Sequence, residues 1–218
     1  RLQALVEGTF AGNLFDLGAA ASQALFGSGG GIDFRQTRAK LRPRPWMVDD
    51  FDALADRLEQ KPCRKAVMFV DNSGADVVLG MLPFARELVR RGAEVVLAAN
   101  EVPSINDVTH SELSGLLAEV QDEVVRAAVG SGRLRCVSSG SDLPVIDLRS
   151  LSPEVVAEAE GADLVVLEGM GRACETNLRL ALHGRDCLKL CMVKHPEVAR
   201  ALGGELYDVC CKFDAARP

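Results

Sequence analysis

From residue 65 onward the chain alternates short, unbroken apolar runs with longer stretches of helical period, and few folds accept that pattern. The runs are KAVMFV at 65–70, EVVLAAN at 94–100, RLRCVSS at 133–139, DLVVLEG at 163–169 and CLKLCMV at 187–193, with ELYDVCCKF at 205–213 as a last candidate. A strand that is apolar on both faces has to be covered on both faces, and helices between successive strands supply the cover. The expected architecture is therefore α/β: a doubly wound, mainly parallel, Rossmann-like sheet with an N-terminal helical part. Residues 74–92 read as one helix closed by Gly92, and a single long helix is expected to start near His110 and run to about Gly132. His183, before Gly184, reads as a helix end.

The first 64 residues lack this alternation. Residues 1–25 carry apolar groups at helical spacing, with a break expected near Gly12. GSGGGIDF follows, with neither a preceding strand nor a helix signal directly after it, so a flexible loop suits it better than a phosphate cradle. Asp49 or Asp50 should cap a short helix, DDFDALADRLEQ. The division expected is a helical part and linker over 1–62, packed on an α/β core over 63–218, as one functional domain.

Composition narrows the partners. A net charge of −6 over 218 residues argues against nucleic acid as a ligand. The sequence has no apolar stretch of the roughly 18–20 residues needed to cross a bilayer, and no signal-peptide pattern, so no membrane partner is expected. Seven cysteines occur without a CxxC pair. Cys136 and Cys191 sit inside apolar runs, where cysteine serves as a small hydrophobe. A reducing, cytoplasmic setting is expected.

In a doubly wound sheet, ligands gather beyond the carboxyl ends of the strands. Those ends carry Asp71-Asn72, then Asn100 with a loop supplying Asn106 and Asp107, then Glu168-Gly169-Met170-Gly171-Arg172, then Lys194-His195. Asp71, Asn72 and Asp107 are all oxygen donors, which suits a hard divalent cation. Lys194 and helix-start amides could hold an anion. Each feature also has an ordinary explanation. Asp and Asn after a strand are common helix caps, and His195 before a proline suits an extended turn.

Taken in order, VDNSGAD, ANEVPSINDVT, LVVLEGMGR and MVKHPEVA resemble the DUF89 family of metal-dependent, damage-control phosphatases. EGMGR and the N-terminal EGTFAGNLFDLGAA are similar to the branch that is fused to pantothenate kinase or stands alone in plants. The resemblance implies a hydrolase acting on small-molecule phosphate monoesters with a divalent metal ion (Mn, Ni, Co or Mg) held by Asp71, Asn72 and Asp107. It further implies 4′-phosphopantetheine and its oxidised or damaged derivatives as substrate, cleaved to pantetheine and phosphate in opposition to coenzyme A synthesis. Asp71, Asp107 and Lys194 are the expected catalytic residues. Asn13, Asp16, Glu168, Gly169, Arg172 and Lys194 are expected to bind substrate. A pantothenate-kinase-like domain earlier in a longer chain, and a homo-oligomer as one open state, complete the expectation. Two other readings stand beside it. One is a noncatalytic regulatory or assembly module attached to a kinase. The other is a methyltransferase, which DNSGAD disfavours because it lacks the glycine-rich turn that admits a nucleotide cofactor.

Overall fold

The computed structural model describes residues 1–14 and 33–217. Seven strands form one sheet in the order β1-β7-β6-β5-β2-β3-β4. These are β1 (Val48–Asp49), β2 (Lys65–Phe69), β3 (Glu94–Ala99), β4 (Leu134–Ser138), β5 (Leu164–Glu168), β6 (Asp186–Met192) and β7 (Val209–Asp214). Every pairing is parallel except β6 with β7. The mainly parallel α/β sheet is thus as the apolar runs imply. β5 and β6 are buried at every position, as strands covered on both faces must be. Of the two candidate caps, Asp50 is the N-cap residue of the helix Phe51–Gln60, while Asp49 with Val48 forms β1 and pairs with Cys210 and Cys211 of β7.

The chain winds outward from β2 through β3 to β4, then returns to the other side of β2 as β5 and continues to β6. β2 and β5 are therefore neighbours at the point where the winding reverses. Their carboxyl ends diverge into loops of opposite direction and leave a crevice there.

The helices depart from their expected outlines at identifiable residues. Residues 76–81 form a π-helical segment (Asp76–Met81) that passes into α4 (Leu82–Arg90), with Pro83 in the first turn, where its missing N–H costs nothing. The long helix expected from His110 is two, α5 (His110–Glu119) and α6 (Glu123–Gly130). Val120 is extended, and the Asp122 carboxylate starts the second helix by accepting from Val124 N and Val125 N. Thr109 and Glu112 form a reciprocal capping box on α5. His183 ends no helix; it lies in an isolated bridge with Arg217. Cys191 is buried as expected but is not a lone hydrophobe, since it forms a disulfide with Cys174.

Before β2 come α1 (Leu2–Asn13), α2 (Phe34–Ala39) and, after β1, α3 (Phe51–Gln60). Val6 and Phe10 of α1 are fully buried and share a hydrophobic cluster with Leu54 of α3 and Met68 of β2. Phe10 meets Trp46 edge-on, with ring centroids 5.0 Å apart. Gly12 and Gly80 let α1 lie close against the π-helical segment. A side chain on Gly12 would stand 3.0 Å from Asp76 Cα, and one on Gly80 would stand 3.2 Å from Thr9 Cα. That packing brings the C-terminal end of α1, with Asn13, over the crevice between β2 and β5. The glycine cluster at 27–31 and Asp16 lie outside the described residues.

Candidate active site

Both walls of the crevice end in carboxylates. β2 passes into Asp71 and Asn72, and β5 ends at Glu168; all three are buried. Glu168 Oε2 accepts from Asp71 N at 2.9 Å, which ties the two strand ends together. The β3–α5 loop folds back over them. Val108 N donates to Asp71 O at 2.9 Å and Ser73 N to Asn106 O at 2.9 Å, so that Asn72 and Asp107 form an isolated bridge. A separation of some 35 residues in sequence thus becomes direct backbone pairing.

Arg172 lies in the π-helical turn Met170–Glu175 that follows β5, with 1% of its surface exposed. Its guanidinium spans the site. Nη1 donates to Asp71 Oδ1, while Nη2 donates to Asp107 Oδ2 at 2.8 Å and to Asn100 Oδ1 at 3.0 Å. Asn100, at the end of β3, also donates to Asp107 Oδ2 at 3.2 Å. Asp71 and Asp107 therefore converge on a single cationic group.

Asn13 closes the other side. Its Nδ2 lies 3.1 Å from Asp71 Oδ2, 3.0 Å from Asp76 Oδ2 and 2.7 Å from Glu168 Oε1, and its Oδ1 accepts from Met192 N at 3.2 Å. Lys194, also buried, donates from Nζ to Asn13 O at 2.8 Å. The backbone of α1 is thereby fastened to the loop after β6.

Gly169 contributes by what it lacks. At φ 109° and ψ 151° its backbone occupies a region open essentially to glycine alone. An added Cβ would overlap Asp71 Cγ and Oδ2 and stand 2.8 Å from Oδ1. Its own N–H donates to Leu190 O at 3.0 Å.

Asp76 was not among the residues expected from sequence, where it reads as an ordinary acidic residue in a helix's first turn. It is fully buried, and its Oδ2 accepts from Asn72 Nδ2 at 2.7 Å and from Asn72 N at 3.3 Å. Burial, reinforced by the neighbouring Asp71 charge, pushes its carboxyl up to about 6. Burial likewise raises Glu168 well above the ordinary carboxylate range, with the Asp76 and Asp71 charges adding to it. The Asp76 Oδ1 atom has no hydrogen-bond partner among the described residues. Asn100 was visible in the sequence as a strand end. Its ending of β3, as Asp71 ends β2, is the signal that could have placed it at the site.

Two donor sets for a divalent cation share Asp71. Oxygens of Asp71, Asp76 and Glu168 lie within 4.8 Å of one another. In that set the Asp76 Oδ2 atom and both Glu168 oxygens accept N–H groups, and burial raises both carboxyls above the ordinary range. In the second set, Asp71 and Asp107 both accept from the Arg172 guanidinium, and Asn72 donates to Asp71 Oδ2 at 3.0 Å. Both sets offer the oxygen donors that suit a hard cation, and Asp71 belongs to each.

Residues 1–210 match the family model described as the damage-control phosphatase ARMT1-like domain. The chain is 53% identical to a damage-control phosphatase of Arabidopsis thaliana, over 98% of this chain and 58% of that protein. It is 37% identical to the 4′-phosphopantetheine phosphatase of Mus musculus, over 98% of this chain and 32% of that protein. It therefore spans about half the length, or less, of these two relatives. A crystal structure of a DUF89 family protein from Pyrococcus horikoshii superposes with a TM-score of 0.67 at 22% identity, covering 97% of this chain and 65% of that one, which supports the fold. With all but its last eight residues matched, the chain belongs to the damage-control phosphatase ARMT1-like domain family.

Proposed function

We propose that this chain is a metal-dependent phosphomonoesterase acting on 4′-phosphopantetheine and its oxidised or damaged derivatives, within a longer cytoplasmic polypeptide that includes a pantothenate-kinase-like domain. The observation that carries the reading is the convergence of Asp71 and Asp107 on one cation at the switch point of the sheet. The printed names of the Arabidopsis and mouse relatives support the reaction class and the substrate.

A divalent cation (Mn, Ni, Co or Mg) held by Asp71, Asn72 and Asp107 would polarise the phosphoryl oxygens and offset their charge. Asp76 holds Asn72 by its amide nitrogen, which leaves the amide oxygen for ligation. Arg172 would bind phosphoryl oxygens through its planar fork, with Lys194 adding a buried positive charge and the first amides of the turn after Gly169 facing the anion. Glu168 holds the Asp71 backbone in place, and Asn13, with Asp16 beyond the described residues, would close the site from the N-terminal side. Burial of the whole set excludes water from the charged groups and strengthens every interaction among them. The phosphorus is then attacked either by a water, which gives up its proton, or by Asp71, whose acyl phosphate a water afterwards hydrolyses; on both routes the P–O bond to the pantetheine oxygen breaks and that oxygen takes up a proton.

Phosphate release from 4′-phosphopantetheine should be lost in EDTA and in a folded Asp71→Asn protein, and restored to the wild type by adding back Mn²⁺. Undiminished release in EDTA, or a fully active Asp71→Asn protein, would overturn the reading. Isolation of an acid-stable phosphoenzyme from wild type would assign the attack to Asp71.

A further inference from the structure

The Arg172 guanidinium lies on the same carboxylate oxygens that the proposed metal would take. Nη1 pairs with Asp71 Oδ1, and Nη2 with Asp107 Oδ2 at 2.8 Å. A magnesium-sized ion stands about 2.1 Å from each oxygen it binds. A cation there would lie within a few ångströms of the guanidinium carbon, with no water between two positive charges in a buried site.

We propose that metal and Arg172 exchange places. Metal binding displaces the guanidinium from Asp71 and Asp107, and the freed fork becomes the phosphate ligand. The inference rests on the metal-phosphatase reading and adds an order to it, metal first and phosphate second. Three features support the exchange. Arg172 is held by side chains alone at its guanidinium, with Asn100 Oδ1 at 3.0 Å as the third partner beside the two carboxylates. It stands on a π-helical turn, a rare form of helix that is frequent at functional sites. A Cβ on Gly171, inside that turn, would overlap Pro144 O, and Arg172 O accepts from Asn177 Nδ2 at 2.9 Å, so packing fixes the backbone of the turn and any exchange is a swing of the long side chain alone. In each arrangement the two carboxylates keep a cation, and the guanidinium keeps an anionic partner only once phosphate has arrived. The apparent metal affinity of the wild type is accordingly reduced by the fraction of molecules in which Arg172 still covers the oxygens.

The test is Mn²⁺ titration followed by the electron paramagnetic resonance signal of the free ion. Arg172→Met should bind Mn²⁺ at least about tenfold more tightly than wild type. Arg172→Lys, whose single ammonium cannot span both carboxylates and Asn100, should fall between them. Folded variants with unchanged or weaker Mn²⁺ binding would overturn the exchange. A measurement on the wild type is independent of variant folding. In protein labelled with ¹⁵N-arginine, the Arg172 side-chain resonances should shift on saturation with Mg²⁺, and a constant Arg172 signal at saturation would equally refute the proposal. If wild type binds neither ion, the metal reading itself fails, a result distinct from both.

Discussion

Replacing Gly169 with alanine tests the geometry of the site at its tightest point. Two costs arise. The backbone at φ 109° and ψ 151° disfavours any Cβ-bearing residue by about 1–3 kcal/mol. The new methyl would also overlap Asp71 Cγ and Oδ2, and Asp71 cannot recede freely because Arg172, Asn13 and Asn72 all hold its oxygens. Shifting that carboxylate strains or breaks a buried ion pair, a class of damage that costs about 3–5 kcal/mol when one partner is lost outright. Partial displacement at about 2 kcal/mol, added to about 2 kcal/mol of backbone strain, gives roughly 4 kcal/mol. At about 2–4 °C per kcal/mol for a domain of this size, Tm should fall by about 10 °C. Mn²⁺ affinity should fall in the same protein, because the carboxylate common to both possible donor sets has moved. Thermal unfolding by circular dichroism and Mn²⁺ titration read the two effects separately. A Gly169→Ala protein with the wild-type Tm and metal affinity would show that Asp71 is not packed against this glycine, and the derivation of the site would fail with it.

Asp76→Asn keeps the volume of the side chain but removes the charge that receives the Asn72 amide. Mn²⁺ affinity should drop by about 10–100-fold, the usual loss when a group that orients a metal ligand is removed, with the protein still folded; unchanged affinity would show that Asn72 needs no such support. Far from the site, Arg64 grips Asp163 with Nε and Nη2 at 3.1 and 2.8 Å, and these hydrogen bonds hold the Asp163 carboxyl down at about 2. The folded value lies below the ordinary 3.8, so the pair stabilises the fold fully above about pH 4, and that contribution disappears as pH falls through 2. Arg64 is largely exposed, so solvent screening keeps the effect small. Urea unfolding of Arg64→Ala should show that loss at pH 6 and a smaller one at pH 2.5, and equal losses at both would contradict the assignment.

Much of the sheet can be read directly from the apolar runs, because a strand buried on both faces leaves a continuous hydrophobic signature. Val48–Asp49 leaves none, being two residues long and half-buried, and the cap signal beside it belongs to Asp50. The break between α5 and α6 was legible in principle at Asp122, but the surrounding apolar period continues across it and outweighs one capping residue. His183 gives a false helix-end signal through Gly184, which lies in a turn just after a bridge residue and follows no helix.

The site divides along the same line. The residue types that ended each strand, Asp71-Asn72, Glu168 and Lys194, were determined by sequence, since an apolar run that stops at acids, amides or lysine marks its own end. Which of them share a crevice was decided by the order of the strands. That order places β5 beside β2, although β3 and β4 intervene in the chain. Asp76 illustrates the difference. As sequence it is one more acid near a helix start, whereas in the fold α1 buries it completely and turns it toward Asn72. Gly169 carries the point further, because its residue type is plain but its reason is Asp71, nearly a hundred positions away. Local sequence sets the strand, the turn and the chemistry at each tip. Only long-range packing sets the distances between tips, and the placing of Arg172 between Asp71 and Asp107 depends on those distances.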